Sequence, residues 1–179
     1  MEVHSPVMDT RDWFAVQVWS RREHICAKHL RQRGYEVFLP CYRERRRWSD
    51  RIKIVDRALF PGYLFCRFQP FVSATIIATP EVLGIVGDGC GPLPVARQEI
   101  EAIQRIVSSN APAEPWPLPH TGEKVRIEVG PLRGLEGVLL RAKSHHRLVV
   151  LVSLLQRAIA VEVDSNWIIG PQHAAAVGM

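Results

Sequence analysis

The sequence has no C-x-x-C pair. Its four cysteines, Cys26, Cys41, Cys66 and Cys90, lie far apart. That argues against a zinc ribbon and a disulfide framework, and predicts reduced thiols. No apolar run approaches the ~18 residues that span a bilayer, so no membrane segment is expected. The opening stretch, MEVHSPVMDTRD, has neither a basic start nor an apolar core and does not read as a signal peptide. A cytoplasmic protein is expected. Catalytic signatures are missing too. The GDGCGP stretch lacks the Lys-Ser/Thr of a P-loop and the Rossmann register, and no H-E-x-x-H occurs. His24 and His29 are off the i, i+4 spacing of a metal pair. His145 and His146 sit in a predicted hairpin turn. None of the cysteines has a local catalytic signature, and a buried cysteine ordinarily acts as a small hydrophobe. No enzyme activity, metal or cofactor is expected.

What is present is an ordinary globular composition over 179 residues: 47% apolar and 23% charged. One or two domains fit that length. The net charge of +5 and pI of about 9.3 favour a polyanionic partner without identifying it. In WFAVQVW, Phe14, Val16 and Val18 alternate with Ala15 and Gln17, as in a strand with one buried face. Ser20 and Glu23 then have capping-box spacing. The helix they open is predicted to bury Ile25, Cys26, Leu30 and His29, and to stop at Gly34. YEVFLP reads as a second strand. The following excursion carries Arg43, Arg45, Arg46, Arg47, Arg51 and Lys53 around Trp48. RALFPGYLF is a strand interrupted by Pro61 and Gly62. VSATIIAT and RQEIEAIQRIVSS read as helices, the second without a good N-cap, and EVLGIVG as a short strand.

After Asn110 the composition changes. Prolines at 112, 115, 117 and 119 predict a semi-rigid extended linker. EKVRIEV, GVLLRA, RLVVLVSLL and AIAVEV follow as short strands, the pattern of a small barrel or sandwich. Two domains follow: 12–110 and 122–179, joined by a proline-rich linker over 111–121. The fold class is α+β.

The ordered set WFAVQVWSRREHICAKHL, LFPGYLFCRF and TPEVLGIVGDG with PLPVARQEIEAI, then GEKVRIEVGPLRGLEGVLLRA and LVVLVSLLQRAIAVEVD, resembles the NusG/RfaH family of transcription elongation and antitermination factors. The resemblance implies an N-terminal NGN-type α/β sandwich with an antiparallel-rich sheet, followed by a small five-stranded KOW-type β-barrel. It implies binding to the clamp helices of the largest RNA polymerase subunit through Phe60, Pro61, Tyr63 and Phe65, with Phe14. Aromatic anchors of this kind dominate many interfaces. Pausing or termination is then suppressed by differential binding to one polymerase state. KOW domains of the family dock Rho or a small-subunit ribosomal protein; the matching positions are Leu132, Leu135, Leu155 and Arg157. Leucine stands where the family often has phenylalanine, and Gln156 where it has glycine. With GPLPVARQEI, this leans towards a specialised paralogue acting as a monomeric antiterminator. The rivals are a housekeeping factor and a KOW-type ribosome- or RNA-binding module.

Two further choices stay open from sequence. The basic run is either a solvated hairpin or a surface near upstream or non-template DNA, where Trp48 can stack and the cations pair phosphates. Residue type alone places Phe60, Tyr63 and Phe65 in the core; the resemblance places them at a surface.

Overall fold

The computed structural model describes residues 11–48, 51–118, 122–141 and 146–168. Its N-terminal sheet has the order β2-β5-β1-β6, from β1 (Asp12–Val18), β2 (Glu36–Phe38), β5 (Tyr63–Phe68) and β6 (Val82–Ile85). All its pairings are antiparallel. Strand β1 is buried on both faces rather than one, because Ala15 is enclosed as fully as Phe14, Val16 and Val18. One face carries Phe14, Val16, Leu64, Cys66 and Phe68 against Cys26, Ala27 and Leu30 of helix α1 (Glu23–Gln32) and Ile76 of α2 (Ser73–Ile77). On the other face, Ala15 and Phe65 share a core with Ile100, Ile103 and Ile106 of α3 (Arg97–Ser108).

Helix α1 stops as expected at Gly34, whose φ of 85° is the left-handed form of a helix end. Its start differs from the expected capping box. Arg22 is the N-cap without a side-chain bond, and Arg21 turns to a φ of 68°. Inside the helix, burial falls on Glu23, Cys26, Ala27 and Leu30. Ala27 therefore takes the inner place expected for Ile25, which is 39% exposed, because i, i+3, i+4 and i+7 define the inward stripe. Helix α3 has Ala96 as N-cap with no side-chain bond, in line with the weak start signal.

The charged excursion is a two-stranded ribbon of β3 (Cys41–Trp48) and β4 (Arg51–Ala58), separate from the main sheet. The C-terminal unit is a five-stranded antiparallel sheet of order β7-β11-β10-β9-β8. Its strands are β7 (Ala113–Trp116), β8 (Glu123–Arg126), β9 (Glu136–Arg141), β10 (His146–Val152) and β11 (Arg157–Val163). Four residues of the stretch read as a semi-rigid extended linker form β7, an edge strand on β11. Pro115 is tolerated because an edge strand has a side that needs no ladder donor. The α3 core continues into this unit through Ile127, Leu132, Leu135, Leu148 and Ile159. Two hydrogen bonds cross the same junction. Ser153 N–H donates to Glu99 Oε1 at 3.1 Å, and Arg105 Nη1 donates to Arg133 O at 3.0 Å. No helix among the described residues is long and apolar enough to cross a membrane.

Candidate functional site

The interrupted strand RALFPGYLF resolves into a turn and a ladder. Strand β5 begins at Tyr63, after the Pro-Gly pair. Gly62 holds a φ of 81°, a conformation that side-chain-bearing residues adopt at a cost. The turn is fastened at both ends of that residue. Val18 N–H donates to Gly62 O at 2.9 Å, and Gly62 N–H donates to Glu23 Oε1 at 2.8 Å. Glu23 is only 5% exposed, so the helix that covers one face of the sheet anchors the turn that leads into its aromatic strand.

Alternation in β5 divides its side chains as expected. Tyr63 and Phe65 join one cluster, while Leu64, Cys66 and Phe68 join the other. Directly paired residues share a face. The pairs Trp13↔Arg67, Ala15↔Phe65 and Phe38↔Phe65 therefore put Trp13 and Phe38 beside Phe65. An aromatic path results. Trp13 meets Phe38 edge-on at 6.3 Å, Phe38 stacks on Phe65 at 6.1 Å, and Phe65 meets Phe60 edge-on at 5.6 Å. The Arg67 guanidinium lies 5.9 Å from the Trp13 ring centre. Phe60 and Phe65 form the buried floor, Trp13, Phe38 and Tyr63 are half-buried, and Pro61 is exposed.

Phe14 does not join this set. It stacks on Phe68 at 4.5 Å on the opposite face, beneath α1. The reason is the two-residue period of β1, which sends Trp13 and Phe14 to opposite sides. Trp13 and Phe38 are the members that sequence reasoning missed. Trp13 could have been found from its offset to Phe14, whereas Phe38 needed the β2–β5 register.

The ribbon has two compositions. Register pairs Arg43↔Asp56, Arg45↔Ile54 and Arg47↔Ile52 define one face. Arg43, Arg45 and Arg47 are exposed, and so are Ile52 at 67% and Ile54 at 62%. The other face carries Glu44 against Val55, and the remaining register pairs are Arg46↔Lys53 and Trp48↔Arg51. There Arg57 Nε pairs with Glu44 at 2.8 Å. Arg51 and Lys53 are exposed, and the side chains of Arg46 and Trp48 lie outside what the structure describes.

In the C-terminal unit, Leu132, Leu135 and Leu155 are buried in the shared core, and of the four positions only Arg157 is exposed. Apolar side chains in a five-stranded unit this small are needed for its own core, which is why their place is inside. Gln156 has the left-handed backbone, with φ 49° and ψ 42°, that suits a glycine.

Three of the thiols, those of Cys26, Cys41 and Cys66, are held protonated at neutral pH. Burial, then the nearby Glu81 charge, pushes Cys26 up to about 11. Burial and then the Cys26 neighbour push Cys66 up to about 12. Cys41 is pushed up to about 11 by burial, then by Asp56 and Glu23, despite Arg31. His24 Nε2 stands 3.9 Å from Cys41 Sγ. Cys90 is exposed. Among the described residues, no three of His, Cys, Asp and Glu gather to hold a metal ion. His145 lies outside the described residues.

Comparison with known proteins adds the family. The model described as "Transcription termination factor nusG" matches residues 11–104, more than half of the 179-residue chain. The transcription termination/antitermination protein NusG of Thermus thermophilus is 24% identical over 180 residues, covering 88% of this chain and 97% of that protein. The protein of the same name from Pseudomonas aeruginosa is 25% identical over 170 residues, covering 87% and 96%. Among solved structures, "Domain interaction in Thermotoga maritima NusG" superposes with a TM-score of 0.58 at 21% identity, covering 88% of this chain and 96% of that one. That likeness concerns the fold. The sequence match over the whole aromatic sheet and into α3, with relatives matched along nearly their full length, shows that this chain belongs to the NusG family.

Proposed function

We propose that the chain is a cytoplasmic transcription elongation factor that binds RNA polymerase and suppresses pausing or termination. The observation that carries this reading is the continuous aromatic face of Trp13, Phe38, Phe60, Tyr63 and Phe65 on a sheet of family-matched sequence. Its half-buried rim and exposed Pro61 offer apolar contact to an α-helical partner, for which the clamp helices of the largest subunit are the choice. Phe60 and Phe65 set the shape of that surface from beneath. No chemical step is needed: binding one polymerase state more tightly than another shifts the population towards it.

The ribbon serves as the nucleic-acid-proximal element. Arg43, Arg45 and Arg47 point from one exposed face, and Arg51 and Lys53 add charge from the other strand. Upstream or non-template DNA is the polyanion that this reading assigns to the ribbon, and phosphate contacts there are sequence-independent. A second partner, Rho or a small-subunit ribosomal protein, meets the C-terminal unit at Arg157 and the Gln156 turn rather than at the buried leucines. Leucines in place of phenylalanines support a specialised antiterminator. The housekeeping reading draws on relatives named termination/antitermination proteins.

The test is transcription by purified polymerase with and without the full chain, on templates bearing pause and terminator sequences. Shorter pauses or more read-through are expected. Unchanged elongation, at concentrations where the chain occupies the polymerase, would overturn the reading.

A further inference from the structure

A thiol and an imidazole meet away from the aromatic face, where the first turn of α1 reaches the base of the ribbon. His24 Nε2 stands 3.9 Å from Cys41 Sγ, on residues 17 apart in sequence. Each lies beside an anchored neighbour. Glu23, next to His24, accepts from Gly62 N–H at 2.8 Å. Pro40, next to Cys41, accepts from Leu59 N–H at 2.8 Å, and Cys41 itself opens β3 in register with Ala58. The pair is therefore set by a helix and a strand rather than by a loop, which is the support that a ligand set needs.

Access distinguishes this thiol from those of the core. Cys26 and Cys66 are fully enclosed, whereas Cys41 is half-buried and His24 is exposed. Charge also favours a positive guest. The Asp56 and Glu23 carboxylates both act on Cys41, with Arg31 opposing them.

The spacing fits one ion held by both atoms. Metal bonds of ~2.3 Å to a thiolate sulfur and ~2.0 Å to an imidazole nitrogen sum to ~4.3 Å. At 3.9 Å apart, the two atoms hold an ion at a bond angle of about 130°, and ~0.4 Å of movement by the exposed imidazole makes the arrangement linear. Ligand number then selects the metal. Among the described residues, no third His, Cys, Asp or Glu completes a larger set. Structural zinc takes four protein ligands, and calcium and magnesium take oxygen. Soft thiolate ligands select copper(I), and imidazole suits copper as well. A filled-shell monovalent ion of that kind is satisfied by two donors in line.

We propose that Cys41 and His24 form a two-coordinate site for a soft monovalent cation of the copper(I) class. On binding, the Sγ–H proton leaves to solvent as the sulfur–metal bond forms, and the thiol gives up its hydrogen bond to Leu39 O. The Nε2 lone pair makes the second bond, and no electron is transferred. The ion cross-links the start of α1 to the base of the ribbon. The inference stands on this pair alone and does not require the polymerase reading.

Anaerobic titration of the full chain with copper(I), in competition with the chelator bicinchoninate, tests it. The parent protein carries Cys90→Ser, which removes the other thiol that solvent reaches freely. One copper(I) per chain is expected to be retained, and X-ray absorption at the copper edge is expected to show one sulfur and one nitrogen neighbour. In the same parent, Cys41→Ser and His24→Asn should each weaken binding by at least ~10-fold, the least that even outer-shell changes commonly cost. His24 is exposed, so its variant is expected to keep the fold, as its urea transition checks. No copper retained, copper bound without one sulfur and one nitrogen, or a smaller loss of affinity in either variant overturns the proposal. The absorption spectrum is read on the parent, so it decides the matter even if Cys41→Ser lowers stability.

Discussion

Glu23 illustrates how a residue acts through a partner remote in sequence. Local spacing pairs it with Ser20, but the positive φ of Arg21 breaks that register, and the carboxylate takes Gly62 N–H, 39 residues away. A bond of that span leaves no local signal. Removing the acceptor while the N–H stays buried costs ~1–3 kcal/mol. Glu23→Ala should therefore lower unfolding stability in urea by that amount, and Glu23→Gln, which keeps an oxygen, by less. Gln156 is the opposite case, because its misfit with a glycine position was visible in sequence. Non-glycine residues pay ~1–2 kcal/mol in the left-handed region. Gln156→Gly should recover about 1 kcal/mol of that, net of its lost Nε2 bond to Ser153 O, as read by a raised urea midpoint. The buried thiols give a pH test. Cys26 and Cys66 lose their protons near 11 and 12 when folded, against 9.0 when unperturbed. Between those values the unfolded chain releases protons that the folded chain keeps. Stability is thus fully present below pH 9 and falls as pH rises towards 11–12, at ~1.4 kcal/mol per pH unit for each thiol. Urea unfolding at pH 8 and pH 10.5 should show the loss, and Cys66→Ala should reduce it.

At the scale of the element, alternation carried most of the legible information. The division of Tyr63 and Phe65 from Leu64 needed only the two-residue period, and the structure places them in different clusters. Which strands lie beside β5, and in what register, needed the tertiary fold; hence Phe38 went unseen and Phe14 was assigned to the wrong face. The pairing of the proline stretch went unseen for a related reason. Proline excludes a central strand but not an edge, and edge status is a property of the whole sheet. The ribbon was legible as a hairpin, and its exposed Ile52 and Ile54 show that hydrophobicity alone does not imply a core. Its proposed role makes a quantitative prediction. Reversing Arg43, Arg45 and Arg47 to Glu should weaken binding to an elongation complex. Each lost phosphate contact should reduce the slope of log affinity against log salt by ~0.7–0.9. An unchanged slope would remove nucleic acid from the account of this face.

For the whole molecule, the break in composition after Asn110 correctly separated a helix-bearing half from an all-β half. It could not show that one apolar core runs from Phe60 and Phe65 through α3 to Leu132 and Leu155. Contacts between halves depend on surfaces that sequence patterns do not order. That continuity also decides how the central claim is tested. Phe65 is fully buried, so Phe65→Ala should cost ~3–5 kcal/mol in folding and confuse lost binding with lost structure. Tyr63 is half-buried at the start of the same strand and can be removed with the sheet intact. The direct measurement is the affinity of the full chain for a purified polymerase elongation complex, comparing the unaltered protein with Tyr63→Ala after the variant's fold is verified by its urea transition. Loss of an aromatic anchor costs about 2 kcal/mol or more. At least a tenfold weaker affinity is predicted; an affinity equal to that of the unaltered chain would contradict the aromatic face as the polymerase grip.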